Sequence, residues 1–297
     1  MELRQLEYFV SVAVELNFSR AAARMHVVQS ALSTSVAKLE RELGVELIDR
    51  SRRQIALSPA GVAFLDQAYG VLAAAKRAKN TVTEYQGQLA GTVEVGTLMS
   101  SGALDLPAVL GRFHRRHPLV NVRLRQSGAG SAGHVAEVAD GTLDLALIST
   151  PGRPTPLVDV EPLDRVPMLF VSSPEHPLAD RQRVRLTDLV GEQLIQFAPG
   201  WGVRRLLEQA LASAGLVTTT AYEVADYATA AGLARHGLGV TVMPATEARR
   251  FTDLRHIPLT PAVVWTLYLA AAPVRHRSPA AATLADEFVA EAAGTVS

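Results

Sequence analysis

Apolar residues in the first fifty positions recur at the three- and four-residue spacing of amphipathic helices. The first predicted helix has the apolar positions Leu3, Leu6, Phe9, Val10, Ala13 and Leu16. Ser19 is a suitable N-cap for a short second helix over 20–25. A third stripe of Leu32, Val36, Leu39 and Leu43 stops at Gly44, a residue type that commonly follows the last helical turn. The pattern predicts three helices, with a tight turn between the second and the third.

The face of the third helix opposite this stripe is polar and carries Ser30, Ser33, Thr34 and Lys38. A short helix, a tight turn and a second helix with a polar outer face are typical of a helix-turn-helix. Small hydroxyls and one lysine can approach base edges and phosphates in a major groove without steric conflict. We interpret this face as a candidate DNA-contacting surface. The alternative is a helical bundle with solvated charges.

A β-hairpin is predicted directly after the third helix. Residues 45–48 and the pair Ile55 and Leu57 flank an arginine-rich turn. A hairpin that follows a helix-turn-helix is a wing. Its arginines Arg50, Arg52 and Arg53 would form a phosphate clamp, because such contacts position a protein on DNA without reading the sequence.

A long helix is predicted between Pro59 and Gln88, where the one strong breaker is Gly70. Pro59 suits the first helical position, with Ser58 as the cap. Thirty helical residues extend for about 45 Å. The narrow apolar stripe resembles a coiled-coil seam, and we expect three of its residues to face their copies across a two-fold axis: Leu65, Tyr69 and Leu72. The alternative is a helix that packs on its own body.

The rest of the chain, from Gly91 to Ser297, alternates short apolar strand patterns with helical patterns. This alternation is typical of an α/β domain. A proline-rich stretch divides the body into two sets of elements, at Pro151, Pro154 and Pro156. The body thus contains two successive sets of strands and helices.

One glycine pattern in the body favours a different class of function. Gly128, Gly130 and Gly133 form a G-x-G-x-x-G between a predicted strand and a predicted helix, as in dinucleotide-binding folds. Such folds also need an acidic residue at the end of the next strand. That strand ends at Ile148 and Ser149, without an acid. A nucleotide-dependent oxidoreductase is thus an alternative to a flexible loop at the edge of a cleft.

The amino-acid composition limits the classes of function that this chain can have. The chain of 297 residues fits two or three domains. Its 29 basic and 29 acidic residues cancel, yet residues 18–58 hold seven Lys or Arg against four Asp or Glu, which suggests a basic head on a neutral body. The absence of cysteine excludes disulfides, thiolate catalysis and thiol redox sensing. No metal is expected at His114 and His117, because no carboxylate accompanies them at ligand spacing.

The stretch "FSRAAARMHVVQSALSTSVAKLERELGVELIDRSRRQIALSPAG" resembles the winged helix-turn-helix of LysR-type transcriptional regulators. The matching positions are Ala21, Ala22, Gln29, Ser33, Leu39, Glu40, Leu43, Gly44, Leu47, Arg50, Leu57 and Gly61. Val28 departs from the pattern, since the family often has a capping Ser or Ala there. In the body, "EVADYATAAGLARHGLGVTVMP" is the most family-like stretch, and the resemblance extends over nearly the whole chain.

The resemblance implies a multidomain chain with α+β and α/β parts. We expect a winged helix-turn-helix over 1–60, a dimerising linker helix over 61–90 and an effector-binding module over 91–297 that resembles periplasmic binding proteins. Lobe I would comprise about 91–163 and 266–297, and lobe II about 164–265. The implied partners are promoter DNA, a small-molecule effector and further copies of the chain, as a dimer or tetramer. We expect no enzyme activity, no cofactor and no membrane partner, and a cytoplasmic location. A solute-binding protein is the third hypothesis, since the body alone would look like one.

The effector is expected between the lobes, where strand ends and helix N-termini converge. Polar candidates at strand ends of lobe I are Thr97, Ser100, Ser101, Gln126, Ser127 and Ser149. On lobe II, Phe197, Trp201 and Val203 would form an apolar wall, and Glu223 and Asp226 would take a polar or cationic part of the ligand. Free backbone N–H groups at helix starts favour an anion. We therefore expect a small organic acid.

Overall fold

The structure is a computed structural model that describes residues 1–50, 55–81, 89–126, 130–149 and 158–295. Three of the predicted site residues, Arg52, Arg53 and Ser127, lie outside the described residues, as does Gly128. No helix in the described ranges is long and apolar enough to cross a bilayer.

The head, which we define as residues 1–60, contains three helices and a hairpin. The helices are α1 (Leu3–Glu15), α2 (Phe18–Arg24) and α3 (Gln29–Leu43), and the hairpin pairs β1 (Ile48–Asp49) with β2 (Ala56–Leu57) in antiparallel fashion. The predicted stripes form its core, with Leu6, Phe9, Leu32, Val36 and Leu39 at most 1% exposed. This arrangement confirms the predicted winged helix-turn-helix.

The cap of the second helix differs from the prediction. Asn17, not Ser19, is the N-cap of α2, and its side chain accepts a hydrogen bond from the Arg20 N–H at 3.0 Å. The helix therefore starts two residues earlier than expected, so that Phe18 is buried. A three-residue reach from side-chain oxygen to backbone N–H is the ordinary geometry of a cap.

The long helix α4 (Pro59–Thr81) follows the hairpin. Ser58 caps it as predicted, because its hydroxyl accepts a hydrogen bond from the Gly61 N–H at 2.9 Å. The same hydroxyl donates to the Glu46 carbonyl at 2.6 Å, which fastens the helix start to the hairpin. Residues 82–88, where the prediction extends the helix, lie outside the described ranges.

The predicted dimer face of α4 is buried within a single chain. Leu65 and Tyr69 are 7% and 3% exposed, and Leu72 is half-buried. These side chains cannot face their copies in this arrangement, since they pack on the chain's own head and body. The alternative of a helix packed on its own body thus describes this face. The opposite face exposes Ala63, Gln67, Val71 and Ala74.

The body contains a sheet of eight strands that spans two lobes. Lobe I holds β3 (Ala90–Thr97), β4 (Leu119–Gln126) and β5 (Leu145–Ile148), with helices α5 (Leu106–Arg116), α6 (Gly130–Ala139) and the C-terminal α10 (Pro279–Thr295). Lobe II holds β7 (Val184–Arg185), β10 (Thr241–Pro244), β11 (Arg255–Thr260), a separate pair β8 (Gln193–Phe197) and β9 (Thr219–Val224), and helices α7 (Gly202–Ser213), α8 (Tyr227–Arg235) and α9 (Ala245–Ala248).

Two strands join the lobes. The 14-residue β6 (Asp159–Ser172) pairs with β12 (Val264–Ala271) along its first part and with β10 and β11 along its last part. β12 also pairs with β5 of lobe I, so the strand order is β4-β3-β5-β12-β6-β11-β7. Leu163 and Trp265, where we expect the chain to cross between lobes, lie in β6 and β12.

The joint between hairpin and α4 leads to a stability prediction. A Cβ atom on Gly61 would lie 2.0 Å from the Leu47 carbonyl oxygen, which is backbone and cannot move aside. Gly61→Ala is therefore expected to lower the free energy of unfolding by about 1–3 kcal/mol, the usual cost of overpacking. Chemical denaturation measures the change.

Gly232 is the matched control, because it also lies in a helix but has no atom within 4 Å of an added Cβ. Gly232→Ala should stabilise by up to about 1 kcal/mol through helix propensity. Equal effects of the two substitutions would contradict the close approach at Gly61.

Candidate functional site

The polar face of α3 is presented as the sequence predicts. Ser30, Thr34 and Lys38 are exposed and Ser33 is half-buried, opposite the buried stripe of the helix. The helix begins after Val28 without a side-chain cap, so its first N–H groups gain no acceptor from that residue. The Lys38 ammonium lies 3.8 Å from a Glu2 carboxylate oxygen, and both side chains are more than half exposed. Such an exposed pair holds the lysine weakly, and the ammonium stays available to an anion.

The carboxylate of Glu40 organises the start of the wing. It accepts hydrogen bonds from the Leu47 and Ile48 N–H groups at 2.9 and 3.0 Å, and its second oxygen accepts from the Arg50 guanidinium at 2.8 Å. The same guanidinium lies over the Phe18 ring at 5.3 Å. Arg50 is therefore partly neutralised and fixed in place, although its side chain stays 45% exposed. Sequence reasoning found Glu40 only as a family match, because a buried carboxylate looks like any surface acid in the pattern.

A cavity of about 70 Å³ lies between the two lobes, where the ends of β3, β4 and β5 face the start of α7. Six of the predicted effector residues line it: Thr97, Ser100, Gln126, Ser149, Trp201 and Val203. The lobe I members of this set share one place because parallel strands of one sheet end at the same edge, as do β3, β4 and β5.

Four predicted residues lie elsewhere, and each has a local reason. The Ser101 hydroxyl donates to the Leu104 carbonyl at 2.9 Å. Phe197 is 1% exposed and stacks behind Trp201, with ring centroids 6.0 Å apart, so it supports the wall without lining it.

The two predicted acids are also occupied locally. The exposed Glu223 pairs with the Arg204 guanidinium at 2.8 Å. Asp226 is the N-cap of α8 and accepts from the Thr229 N–H at 2.7 Å, which holds the pKa of its carboxyl below the usual value. Neither acid is among the lining residues of this cavity, and their contact with a cationic part of the ligand stays a prediction.

Sequence reasoning missed seven lining residues: Leu98, Met99, Gly130, Ser131, Gly202, Tyr227 and Trp265. Tyr227 and Trp265 come from elements whose patterns predict only core. Burial raises the pKa of the Tyr227 phenol, so this side chain is neutral and can serve as a hydrogen-bonding group. The Trp265 indole N–H is buried and has no hydrogen-bond partner among the described residues.

The lobes touch at glycines beside the cavity. A Cβ on Gly202 would lie 1.7 Å from the Ser149 Oγ, and a Cβ on Gly130 would lie 3.0 Å from the Gly200 carbonyl oxygen. Gly130 also has a φ of +61°, which other residues rarely adopt. These glycines permit the close approach that keeps the cavity small. The glycine pattern of the sequence is explained at Gly130 by the cleft edge, and its first glycine lies outside the described residues.

The cavity wall is mostly apolar and carries a few uncharged polar groups. No Asp, Glu, Lys, Arg or His is among its described lining residues, whereas five side chains with a hydroxyl group are: Thr97, Ser100, Ser131, Ser149 and Tyr227. Helices α6 and α7 both begin at the cavity, at Gly130 and Gly202. Trp201 gives α7 no side-chain cap. Helix starts carry partial positive charge, so the arrangement can hold an anionic group with neutral donors. The described part of the chain also contains no group of three potential metal ligands.

Comparison with known proteins agrees with this architecture. Residues 3–62 match the model of the bacterial regulatory helix-turn-helix proteins of the lysR family, and residues 86–293 match that of the LysR substrate binding domain. GltC, a transcriptional dual regulator of Bacillus subtilis, is 35% identical over 85% of each chain. A hydrogen peroxide-inducible genes activator of Pectobacterium carotovorum is 30% identical over 84% of this chain and 82% of its own.

Solved full-length structures superpose on the chain as well. A variant of OxyR from Pseudomonas aeruginosa has a TM-score of 0.61 and 27% identity, covering 97% of this chain and 94% of that one. CbnR in complex with its target DNA has a TM-score of 0.55 and 25% identity, covering 98% of this chain and all of that one. The two family models together account for most of the sequence, and the chain belongs to the LysR family of bacterial helix-turn-helix regulatory proteins.

Proposed function

We propose that this protein is a transcriptional regulator that binds promoter DNA through α3 and the wing, and whose binding is modulated by a small organic acid held between the lobes. The cavity between the lobes carries the effector part of the proposal. It combines five hydroxyls with two helix starts and has no charged side chain among its described lining residues. A protein of this kind acts in the cytoplasm and catalyses no reaction.

The DNA part of the proposal is supported by the exposed face of α3. Ser30, Ser33 and Thr34 would reach base edges, and Lys38 with Arg50 would contact phosphates. Arg52 and Arg53 stay candidates for the same phosphate contacts from the sequence. CbnR, a structural relative, is solved with its target DNA.

The chemistry of the effector is limited by composition. Some relatives are activators of hydrogen peroxide-inducible genes. This chain contains no cysteine, so no thiol can be oxidised by a peroxide. A reversibly bound anion is the signal that fits the cleft, because hydroxyls and helix starts bind anions without forming a covalent bond.

The dimer surface is proposed to be the exposed face of α4. Val71 is 40% exposed, and the exposed Ala63 and Ala74 lie on the same face. Apolar and small side chains at helical spacing allow two helices to pack closely. A two-fold pair of chains would present two recognition helices to a two-fold operator.

The α3 face leads to a prediction on DNA binding. Lys38→Gln should weaken binding to every sequence and lower the salt slope of the affinity by about 1, because one phosphate contact is lost. Thr34→Ala should instead cost about 1–3 kcal/mol at particular base pairs and leave the slope unchanged. Fluorescence anisotropy on the promoter of the adjacent gene, titrated with salt, measures both. Arg185→Gln, which removes an exposed cation of lobe II, is the control. A slope that stays the same for Lys38→Gln would exclude its phosphate contact.

The two faces of α4 are separated by a pair of substitutions. Val71→Asp places a charge on the exposed face and should reduce the mass measured by light scattering to that of one chain while the fold is retained. Leu65→Asp places a charge inside the single chain and should lower its stability by several kcal/mol, as unpaired buried charges do. If Val71→Asp leaves the mass unchanged, the exposed face of α4 is not the dimer interface.

The cavity predicts a thermal response to carboxylates. A ligand at about 100 times its dissociation constant stabilises the protein by about 2.7 kcal/mol, which raises Tm by roughly 5–10 °C for a body of this size. Ser100→Ala should blunt this shift, because Ser100 lines the cavity. Ser101→Ala is the neighbouring control and should retain it, since its hydroxyl bonds to Leu104. A shift caused by amines alone would refute the anion site.

A further inference from the structure

The head rests against lobe I of its own chain. The Arg24 guanidinium, at the end of α2, lies 2.7 Å from a carboxylate oxygen of Asp140, which follows α6. The two side chains are only 15% and 5% exposed. Arg24 also pairs with Glu15 of α1 at 3.2 Å. A buried ion pair therefore joins the helix-turn-helix to the effector module.

Apolar packing surrounds this ion pair. The head core, with Tyr8 and Phe9, forms one continuous cluster with Val138, Ala139 and Leu143 of lobe I. The Tyr69 hydroxyl donates a hydrogen bond to the Val138 carbonyl. Both contacts converge on the last turn of α6.

The first turn of the same helix lies at the effector cavity. Ser131 lines the cavity and its Oγ accepts a hydrogen bond from the Ser149 N–H at 3.0 Å. In the middle of the helix, His134 is 1% exposed, and its Nε2 lies 3.0 Å from the carbonyl oxygen of Thr97, another cavity residue. A helix of 10 residues is about 15 Å long. One rigid helix thus separates the cavity from the head.

We propose that the contact between head and lobe I is a regulated interface within the chain, and that α6 couples its stability to occupancy of the cavity. This inference rests on the proposed function, since it assumes that the cavity takes an effector and that the head binds DNA. The docked head would hold its recognition helix in one orientation. Two docked heads of a dimer would then fit only one spacing of half-sites, and release would permit others.

The energetics of the ion pair suit a switch. Burial raises the pKa of the Asp140 carboxyl, and the positive charge of Arg24 acts in the opposite direction. The attraction in such a pair roughly offsets the desolvation of its two charges. The docked and released states can then lie close in free energy, and a ligand with a modest preference for one state shifts the population.

The absence of cysteine allows a direct distance measurement on the full-length protein. Ser19→Cys and His114→Cys place two spin labels at exposed positions, one on the head and one on lobe I. Double electron–electron resonance, on labelled chains diluted with an excess of unlabelled protein so that few dimers carry two labelled chains, should give one narrow distance population. Asp140→Asn keeps the acceptor for the Thr142 N–H but removes the charge, and the ratio of docked to released heads should fall at least about tenfold. Arg24→Gln removes the opposite charge of the pair and should lower the same ratio. Because it lies in the head and Asp140 lies in lobe I, a local defect in one domain cannot explain the same result in both variants.

Asp253→Asn is the matched control, because it breaks the exposed Arg235–Asp253 pair of lobe II and should leave the distances unchanged. Ser131→Ala disturbs only the cavity end of α6 and should also shift the population, whereas Ser213→Ala at the end of α7 should not.

A distance distribution that stays narrow and unshifted in both Asp140→Asn and Arg24→Gln would refute the proposal that this contact is a regulated interface. Distances that change there but not in Ser131→Ala would overturn α6 as the coupling element. Promoter binding by fluorescence anisotropy is measured on the same samples. A protein that shows the distance changes but binds no promoter DNA would refute the proposed function and leave the interface standing.

Discussion

Both lobes of the body depend on one strand. β6 satisfies its backbone hydrogen bonds with β12 toward lobe I and with β10 and β11 in lobe II. Breaking these ladders would leave backbone groups unpaired in the core, so the lobes can change their separation only as β6 and β12 bend or twist. The cavity sits beside this shared ladder, with Trp265 of β12 in its wall. The width of the cavity is therefore set by the two crossing strands, and the chemistry of its lining is set largely by the residues at the strand ends.

The close approach of the lobes is equally constrained. Gly202 and Gly130 are the points at which one lobe meets the backbone or a short side chain of the other. Because Gly202 has no Cβ, the start of α7 can approach Ser149, whose hydroxyl lies 3.3 Å from the hydroxyl of Ser131 within lobe I. Strand ends, helix starts and glycine contacts thus combine into a site whose polarity comes from neutral groups.

The sequence allows the head and part of this cavity to be predicted, for different physical reasons. The apolar stripe of α3 permits one packing arrangement, because Leu32, Val36 and Leu39 must all be buried. Thr97, Gln126 and Ser149 were found since parallel strands end at a common edge. The apolar stripe of α4 permits two packing arrangements, because Leu65 and Tyr69 show the same pattern whether they contact a second copy of the chain or their own body. Tyr227 and Trp265 were missed because a buried aromatic gives the same signal in a core as in a ligand wall. Glu223 and Asp226 lie outside the cavity lining, and nothing in the pattern shows that Arg204 and the Thr229 N–H are their partners.

The joint between the hairpin and α4 makes the head and the first turns of the helix a single rigid piece. The Ser58 hydroxyl bridges the Glu46 carbonyl and the Gly61 N–H, and the rings of Phe9 and Phe64 lie 5.5 Å apart. A chimaera with a relative's DNA specificity cannot be cut at residue 60, where the sequence divides most naturally. The transplanted segment has to include α4 beyond Leu65, so that the grafted helix-turn-helix keeps its contacts with the first turns of that helix.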